Sequence, residues 1–463
     1  MTQSGVTPRL LNVEQYKRRI NRNDPVANIY RNAIDLNRFG NGVARQIVRD
    51  YNNIVLSAVA DLKAINLGEA TAGAGIVSPA SFQAQRLRII LAQLKESLDN
   101  WAGRSTIYAT RELQGLAELQ TEFVEEQIRL ALSGGVVDGR QLLPSQVNAL
   151  AQVNTVQVAP NFAATVATVD PTDVNLVVPL SDARVLAAVP GQIPTAAAFN
   201  LTAAQGATLT LPNGEIIEKA FRGLAESQAQ RFNTIVRTGI LTGEPTPQIA
   251  RRLVGSLNFG QLAKTARQQA LAGGELIKMA DHQVLTIVRT SVQQVANAAS
   301  EQVYKANTDI TKKYRYVATL DSRTSAICRS LDGKEFEYGK GPEPPVHFNC
   351  RSTTIPIIDY EGLGIPPPDW GVGPSQRASA EGPINAVTTV KGKKTFKSYG
   401  YWLKDQPKAY QSEVFRSERR AAYFRKLSNK YGPQDALSRM VREDGSEVTL
   451  AQLQQSYGKV RVD

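Results

Sequence analysis

The central stretch of the chain reads Tyr314-Arg-Tyr-Val-Ala-Thr-Leu-Asp-Ser-Arg-Thr-Ser-Ala-Ile-Cys328-Arg-Ser-Leu-Asp-Gly-Lys334. Its first seven residues alternate between the two faces in the way that a half-buried strand requires. The following Asp321-Ser-Arg323-Thr324 predicts a turn that side-chain hydrogen bonds and an ion pair hold. Asp332-Gly333-Lys334 predicts a tight hairpin turn, because Asp-Gly adopts positive φ at low cost. We therefore expect a compact β-hairpin module at about residues 314–358.

Both cysteines and one of the two histidines of this 463-residue chain lie in or just after this stretch. The second half of the group reads Pro344-Pro-Val-His347-Phe-Asn-Cys350. Zinc prefers thiolate and imidazole ligands, and His347-x-x-Cys350 has a suitable spacing that Cys328 could complete across a loop. The pattern shows no fourth ligand, and Asp321, Asp332 or a water would each serve.

Three other interpretations of the Cys–His–Cys group stay open. The first is a metal-free core with two buried thiols and a hydrogen-bonded histidine. The second is a Cys/His nucleophile pair, as in thiol hydrolases, although no oxyanion feature or orienting third group is evident. The third is a Cys328–Cys350 disulfide, which a reducing cytoplasm disfavours. The economical interpretation is that the group serves structure rather than chemistry.

The flanking segments are mostly helical in pattern. In the N-terminal region, residues 1–135, apolar residues recur in steps of three and four, which predicts two long helices or broken helices in antiparallel arrangement. Residues 215–310 show further helical stripes, with Thr246-Pro247 as an N-cap and first-turn pair. Residues 361–390 are rich in Gly and Pro and predict a linker before a basic helical segment at 391–463.

Residues 136–214 differ sharply in composition, because charged residues almost vanish. Strand-like runs occur at Val174–Val178 and Thr208–Leu211, and Leu211-Pro-Asn-Gly214 is a turn signal. The segment is either a small β-rich insertion or an arm that orders on a partner. With the module at 311–360, the whole pattern predicts an α+β fold dominated by long α-helices.

The charge of the chain is concentrated at its C-terminal end. The formal net charge is +12, and residues 391–463 hold 16 Lys and Arg against 8 Asp and Glu, or +8 of that total. Such a surface attracts nucleic acid or acidic proteins. Two cysteines exclude a disulfide-rich secreted scaffold. We expect no signal peptide and no transmembrane segment, and synthesis in a reducing cytoplasm.

The motif around the cysteines resembles the signature of the phage Mu F-like family, the minor head or head-morphogenesis proteins of tailed bacteriophages. The resemblance rests on the order and approximate spacing of about a dozen residues, which include the structural-motif residues Asp321, Arg323, Thr324, Asp332, Gly333 and Arg351. Flanking matches at Leu241–Leu253, at Val288-Arg289-Thr290 and in the tail from Tyr401 extend it over about residues 215–463. The chain departs from the family pattern at Ser352, where members often have a second Cys after Cys350-Arg351. That departure weakens the case for zinc.

The resemblance implies a structural role in head assembly or genome delivery, with the portal protein, inner capsid or scaffold proteins and double-stranded DNA as partners. It places the protein inside the virion head near the portal vertex, and in the host cytoplasm during assembly. The runner-up function is a metal-dependent nuclease or thiol hydrolase that uses Cys328, His347 and Cys350. A third is a protein ejected with the DNA. Combined with the charge, the resemblance predicts DNA contacts at Lys391, Lys393, Lys394, Arg416, Arg419, Arg420, Arg425 and Lys426.

Overall fold

The computed structural model describes residues 25–65, 82–133, 136–137, 140–141, 154, 211–255, 274–365, 376–379, 382–385, 387–390 and 393–461. The predicted strand at Val174–Val178 lies outside these ranges, as do nearly all of residues 136–214 and Lys391. The predicted turn at Leu211–Gly214 is confirmed, because the Gly214 N–H donates to the Leu211 carbonyl at 2.8 Å.

Long helices make up most of the described chain. They are α1 (Pro25–Ala64), α2 (Phe82–Ser133), α3 (Ile217–Leu241), α4 (Thr246–Val254) and α5 (Glu275–Ala306). A short ribbon of β1 (Val136–Val137) and β2 (Arg140–Gln141) follows α2. One hydrophobic core contains residues of all five helices, so these helices form a single body. No helix in the described ranges combines the length and apolar content that crossing a membrane requires.

The two N-terminal helices are antiparallel, as predicted from their stripes. Asn28 donates to Gln127 at 2.7 Å, Asn32 donates to Gln120 at 2.6 Å, and the Trp101 indole N–H donates to the Ile47 carbonyl at 3.0 Å. The partner number falls as the residue number rises, which defines the antiparallel register. Since buried polar groups are costly when unpaired, these bonds select one register among those that apolar packing alone permits.

The predicted β module is a three-stranded antiparallel sheet in the order β4-β3-β5. Its strands are β3 (Thr311–Val317), β4 (Glu335–Glu337) and β5 (Thr353–Ile358), with α6 (Ala326–Leu331) between β3 and β4. The strand predicted at 314–320 thus begins three residues earlier and ends at Val317. It ends there because the Ala318 N–H donates to the Asp332 carboxylate, and not to a neighbouring strand.

Two further predicted details are corrected. Asp332-Gly333-Lys334 connects α6 to β4 and is not a hairpin turn between strands, since the six-residue helix α6 stands where a strand was expected. Helix α4 has Pro245 as its N-cap, with extended φ and ψ of −62° and 145°, and places Thr246 inside the helix. Thr246 is buried at 2% exposure, and the N-cap residue Pro245 provides no side-chain capping bond.

The C-terminal part begins with two hairpins within and beyond the predicted linker. They are β6 (Gln376–Ser379) with β7 (Gly382–Asn385), and β8 (Val387–Val390) with β9 (Lys393–Phe396). The described part of 361–390 thus contains three strands in addition to loop. Arg377 on β6 is only 1% exposed and anchors this segment in the protein interior. The short helices that follow are α7 (Tyr399–Lys404), α8 (Lys408–Phe415), α9 (Glu418–Tyr431), α10 (Pro433–Arg439) and α11 (Leu450–Tyr457). They share a second hydrophobic core with Leu320.

Candidate functional site

The candidate site lies where α6, the loop after β4 and the start of β5 meet. Cys328 lies on α6, whose N-cap Ser325 accepts a hydrogen bond from the Cys328 N–H. His347 and Cys350 lie on the loop that leads into β5, after a cis Pro344–Pro345 peptide bond. The structure thus brings together the three residues that the sequence singled out, and their ligand atoms all lie within 4.8 Å of one another.

The distances within this group suit a tetrahedral metal site. The two sulfurs are 3.8 Å apart, and Cys328 Sγ is 3.2 Å from His347 Nε2. Zinc–sulfur bonds of about 2.3 Å at tetrahedral angles place two thiolates about 3.8 Å apart. The remaining ring nitrogen, Nδ1, lies 2.8 Å from the Phe348 carbonyl oxygen, which can only accept. Nδ1 therefore carries the proton and leaves Nε2 free to bind, the arrangement usual for a metal-ligating histidine.

The two aspartates that the sequence offered as a fourth ligand are both held in ion pairs with arginines. Asp321 forms a bidentate ion pair with Arg351 at 2.6 and 2.8 Å. Asp332 pairs with Arg377 at 2.7 and 2.9 Å. Hydroxyl groups do contact the group: Ser325 Oγ lies 2.8 Å from His347 Nε2, and Tyr316 Oη lies 3.2 Å from Cys328 Sγ. A metal at this site would thus have two sulfurs, one nitrogen and an oxygen from water or a hydroxyl.

The two thiols are chemically unequal. The hydrogen bond from Cys328 lowers the pKa of Cys350 to about 6, although burial acts in the opposite direction. The same bond, together with burial, raises the pKa of Cys328. For His347, burial lowers the pKa, but the interactions with Cys328 outweigh it and raise the pKa overall. Both cysteines are free and buried, at 2% and 3% exposure. A nucleophile needs access to its substrate, so this burial argues against the thiol-hydrolase interpretation.

The remaining motif residues build the frame of this site. Arg323, as predicted, closes the turn by pairing with Asp321 at 3.3 Å, and Thr324 donates to the same carboxylate at 3.1 Å. Burial raises the pKa of Asp321. The Arg351 guanidinium, with Arg323 and Thr324, outweighs burial and lowers the pKa overall. Asp332 accepts from the Ala318 and Tyr399 N–H groups, both at 2.6 Å, as well as from Arg377. These carboxylates therefore have a structural role: Asp321 links its turn to Arg351, and Asp332 links the segment after α6 to Arg377 and to the start of α7.

Sequence reasoning missed Arg377, because it lies in a Gly- and Pro-rich segment with no motif around it. Arg377 and Asp332 are both fully buried, with side chains at 0% exposure. Ser325 was missed too, although Ser before the Ala-Ile-Cys helix start is a recognisable N-cap signal. Ser352, at the position where the family often has Cys, is buried at 2% exposure. Its hydroxyl hydrogen-bonds with Tyr316 and Cys350.

Five of the residues predicted to contact DNA have side chains that the structure describes, and these five do not form one free basic surface. Arg416 and Arg419 are exposed, one at the end of α8 and one on α9. Three others bond within the protein: Arg420 pairs with Glu447, Arg425 donates to Gln411, and Lys426 donates to the Tyr457 carbonyl. Lys393 and Lys394 lie on β9. Among the side chains that the structure describes, Arg416 and Arg419 are therefore the strongest candidates for an external anion.

Comparison with known proteins supports the family assignment. Residues 230–355 match the family described as Phage Mu protein F like protein, so the resemblance noted in the sequence is confirmed. The matched segment runs from α3 into β5 and contains all three residues of the Cys–His–Cys group. No solved structure matches the chain significantly.

Two curated proteins are similar over part of the chain. An uncharacterized protein of Haemophilus influenzae is 31% identical over 123 residues, which cover 23% of this chain and 28% of that protein. The NAD(+)--arginine ADP-ribosyltransferase EFV of Enterococcus faecalis is 23% identical over 216 residues, or 43% of this chain and 36% of that protein. The chain thus spans about a third or less of the length of these relatives, and the activity that the second name states belongs to that relative.

Proposed function

We propose, on the premise that residues 230–355 form a phage Mu F-like region, that the chain is a minor head protein of a tailed bacteriophage. It acts as a structural component of head morphogenesis, associates with the portal protein and the capsid interior, and is not an enzyme. The observation that carries the proposal is that the family match and the signature residues coincide in one folded module. Its carboxylates form internal joints, and its thiols are buried.

The test is association with phage head components. The full chain, made with the portal protein and scaffold of the same phage, is expected to co-sediment with portal oligomers or with procapsids. A procapsid from which the portal is omitted separates portal binding from binding to the capsid wall. Binding to none of these assemblies would overturn the proposal. Nuclease or peptidase activity that is lost in His347→Ala would establish the enzymatic alternative instead.

Contact with packaged DNA is the finer part of the proposal, and the basic tail supports it. Each phosphate that a cation neutralises contributes about 0.9 to the slope of log affinity against log salt. The double variant Arg416→Gln/Arg419→Gln is expected to weaken duplex binding and to reduce that slope by up to about two. Arg104→Gln/Arg111→Gln on α2 removes the same charge from exposed positions and serves as the control. Equal binding by both double variants would exclude these residues from the interface.

We further propose that Cys328, His347 and Cys350 hold a structural zinc ion, which would tie α6 to the loop before β5. Protein grown with zinc is expected to contain about one zinc ion per chain, and Cys350→Ser is expected to lose it. Ser352→Cys, which adds a buried thiol beside Cys350, is expected to hold zinc more tightly. Ser456→Cys adds an exposed thiol on α11 and should change nothing. Wild-type protein without stoichiometric zinc would overturn this proposal.

A further inference from the structure

A cavity of about 440 Å³ lies between the C-terminal half of α5 and the loop that follows β4. Its walls include two acidic side chains, Glu301 from α5 and Glu343 from the loop, and three tyrosines, Tyr304, Tyr314 and Tyr338. This volume lies in the range of sites for small ligands. The cavity is distinct from the Cys–His–Cys group, and no motif in the sequence indicated it.

The two carboxyl groups of this cavity are incompletely paired. Glu301 is only 4% exposed, and its Oε1 forms an ion pair with Lys305 Nζ at 2.5 Å. The Glu301 and Glu343 carboxyl groups hydrogen-bond with each other, and Glu343 also bonds with the Gly339 backbone. Among the described residues, no further donor reaches the buried Glu301 Oε2 or Glu343 Oε1. Buried carboxylate oxygens in proteins are normally satisfied, so this pair lacks a partner that the described chain does not supply.

The charges around the pair are out of balance. Within the described ranges, the charged groups that act on Glu343 are Glu301 and Lys305, so two carboxyl groups face one ammonium. Burial and the adjacent Glu301 carboxyl together raise the pKa of Glu343 to about 10. The three tyrosines stay neutral, because burial also raises each of their pKa values. One further positive charge in the cavity would allow both carboxyl groups to ionise.

The walls favour an organic cation over a metal ion. Magnesium and calcium require six or more oxygen ligands, whereas two carboxylates beside tyrosines and prolines offer few. Alkylammonium and guanidinium groups need two or three acceptors, and they are also attracted to aromatic rings. Tyr314 and Tyr338 stack with their ring centroids 5.8 Å apart, and Tyr304 lies 5.9 Å from Tyr338, so the aromatic wall is continuous.

We infer that this cavity binds one organic cation, an alkylammonium or guanidinium group, against the carboxyl pair of Glu301 and Glu343. The cation supplies the missing hydrogen-bond donors and the missing positive charge, and the tyrosine wall surrounds its alkyl chain. This inference stands apart from the proposed head role, since it rests on the cavity alone. The group belongs either to a free small amine or to a Lys or Arg side chain of a peptide.

Calorimetric titration of the full chain tests the inference. The probes are n-butylammonium, n-butylguanidinium, a blocked Gly-Lys-Gly peptide, neutral 1-butanol and Mg²⁺. At least one organic cation is expected to bind at a single saturable site, and butanol and Mg²⁺ are expected not to bind there. Since binding ionises Glu343, it should release a proton and strengthen from pH 6 to pH 9. Tighter binding of the peptide would assign a side chain as the natural ligand, and tighter binding of the free ions a small amine.

The variants separate the cavity from other acidic surfaces. Glu343→Gln keeps the shape but removes the charge, and it should weaken binding at least tenfold and abolish the proton release. Glu443→Gln removes an exposed carboxylate and should bind as the wild type does. Because Glu343 is already protonated in the ligand-free protein, and glutamine is neutral without taking up a proton, the variant should fold at least as stably. Absence of saturable binding by every organic cation, preference for Mg²⁺, or unchanged binding by Glu343→Gln would each overturn the inference.

Discussion

At the scale of single residues, Asp332 and Arg377 form an ion pair whose two charged side chains are both fully buried. Asp332 accepts four hydrogen bonds, two from the Arg377 guanidinium and two from backbone N–H groups. Arg377 also donates to the Ala318 carbonyl at 2.7 Å, and its guanidinium lies over the Phe396 ring at 4.6 Å. A buried ion pair is stable only when its remaining donors and acceptors are satisfied. Here backbone carbonyls accept from both terminal guanidinium nitrogens of Arg377, and backbone N–H groups donate to both Asp332 oxygens.

The first prediction concerns this pair. Arg377→Lys keeps the charge but loses the planar fork, so part of Asp332 becomes unpaired in the interior. The expected cost is about 2–4 kcal/mol of unfolding free energy, measured by urea denaturation. Arg323→Lys, whose side chain is 79% exposed beside Asp321, should change stability by about 0.5 kcal/mol or less. Similar effects of the two substitutions would contradict the structural role of Arg377.

The second prediction concerns the protonation of Glu343. Its pKa is raised from 4.5 to about 10, so between these values the folded chain holds a proton that the unfolded chain releases. Stability therefore falls as the pH rises through this window, by at most about 1.4 kcal/mol per pH unit. In urea denaturation from pH 6 to pH 8, Glu343→Gln should remove this fall, and Glu443→Gln should retain it. A slope that Glu343→Gln leaves unchanged would show that Glu343 is ionised throughout.

At the scale of elements, the connection between α6 and β4 determines how the module meets the C-terminal part. Lys334 N–H donates to the Leu331 carbonyl at 3.0 Å, and Asp332 has φ −55° and ψ 127°. Gly333 follows with φ 81°, which defines a type II turn. This geometry places the Asp332 carboxylate toward Arg377 and brings the turn close to Phe396 and Ser398. The sequence signal for a turn was correct, but the elements that it joins were not those expected.

The third prediction compares two glycines with the same backbone conformation. Gly333 and Gly214 both have φ 81°. A Cβ on Gly333 would meet Ser398 Cβ at 3.1 Å and Phe396 Cδ1 at 3.2 Å, whereas a Cβ on Gly214 meets nothing within 4 Å. Gly214→Ala should cost about 1–2 kcal/mol of unfolding free energy for the left-handed conformation alone. Gly333→Ala should cost about 1–3 kcal/mol more, because overpacking adds to it. Equal costs would show that Phe396 and Ser398 move away from the added Cβ without a loss of stability.

At the scale of the whole molecule, the described chain has two large hydrophobic cores and a small cluster around Cys328 and Cys350. The first contains α1 to α5 with part of the sheet, and the second contains α7 to α11. Buried polar contacts join the two parts. Arg329 of α6 is 4% exposed, donates to the Val414 carbonyl at 2.8 Å, and lies over the Phe415 ring at 5.1 Å. Such an arrangement predicts that the C-terminal helices can open while the long helices stay folded.

The fourth prediction tests this division by amide hydrogen exchange. Arg329→Met leaves the Val414 carbonyl without its donor and removes the charge over Phe415. Exchange in residues 399–457 should become about tenfold faster or more, and exchange in α1 and α2 should stay unchanged. Arg419→Met, at an exposed position on α9, should leave both regions as in the wild type. A uniform increase across the chain would show that the two cores unfold as one unit.

The helical architecture followed from local pattern. Apolar stripes predicted α1, α2, α3 and α5, because burial of one helix face imposes a period that the sequence displays directly. The turn at Asp321 and the association of Cys328, His347 and Cys350 were also predicted. Strand ends and the start of α4 were less well placed, since hydrogen bonds from distant groups set them. The segment 361–390 was wrongly predicted as a linker throughout, because Gly and Pro content does not reveal a strand that a single buried arginine anchors.

The amino-acid sequence by itself determined the helical stripes, the turn chemistry, the basic C-terminal segment and the family signature, since each is written in neighbouring residues. Only the tertiary structure decided that Asp332 pairs with Arg377 and that Glu301 contacts Glu343 at the wall of a cavity. Each of these pairs joins residues about 40 positions apart on different elements. Periodicity reports which face of an element is buried, but not which element covers it. That choice is made by the packing of the whole chain.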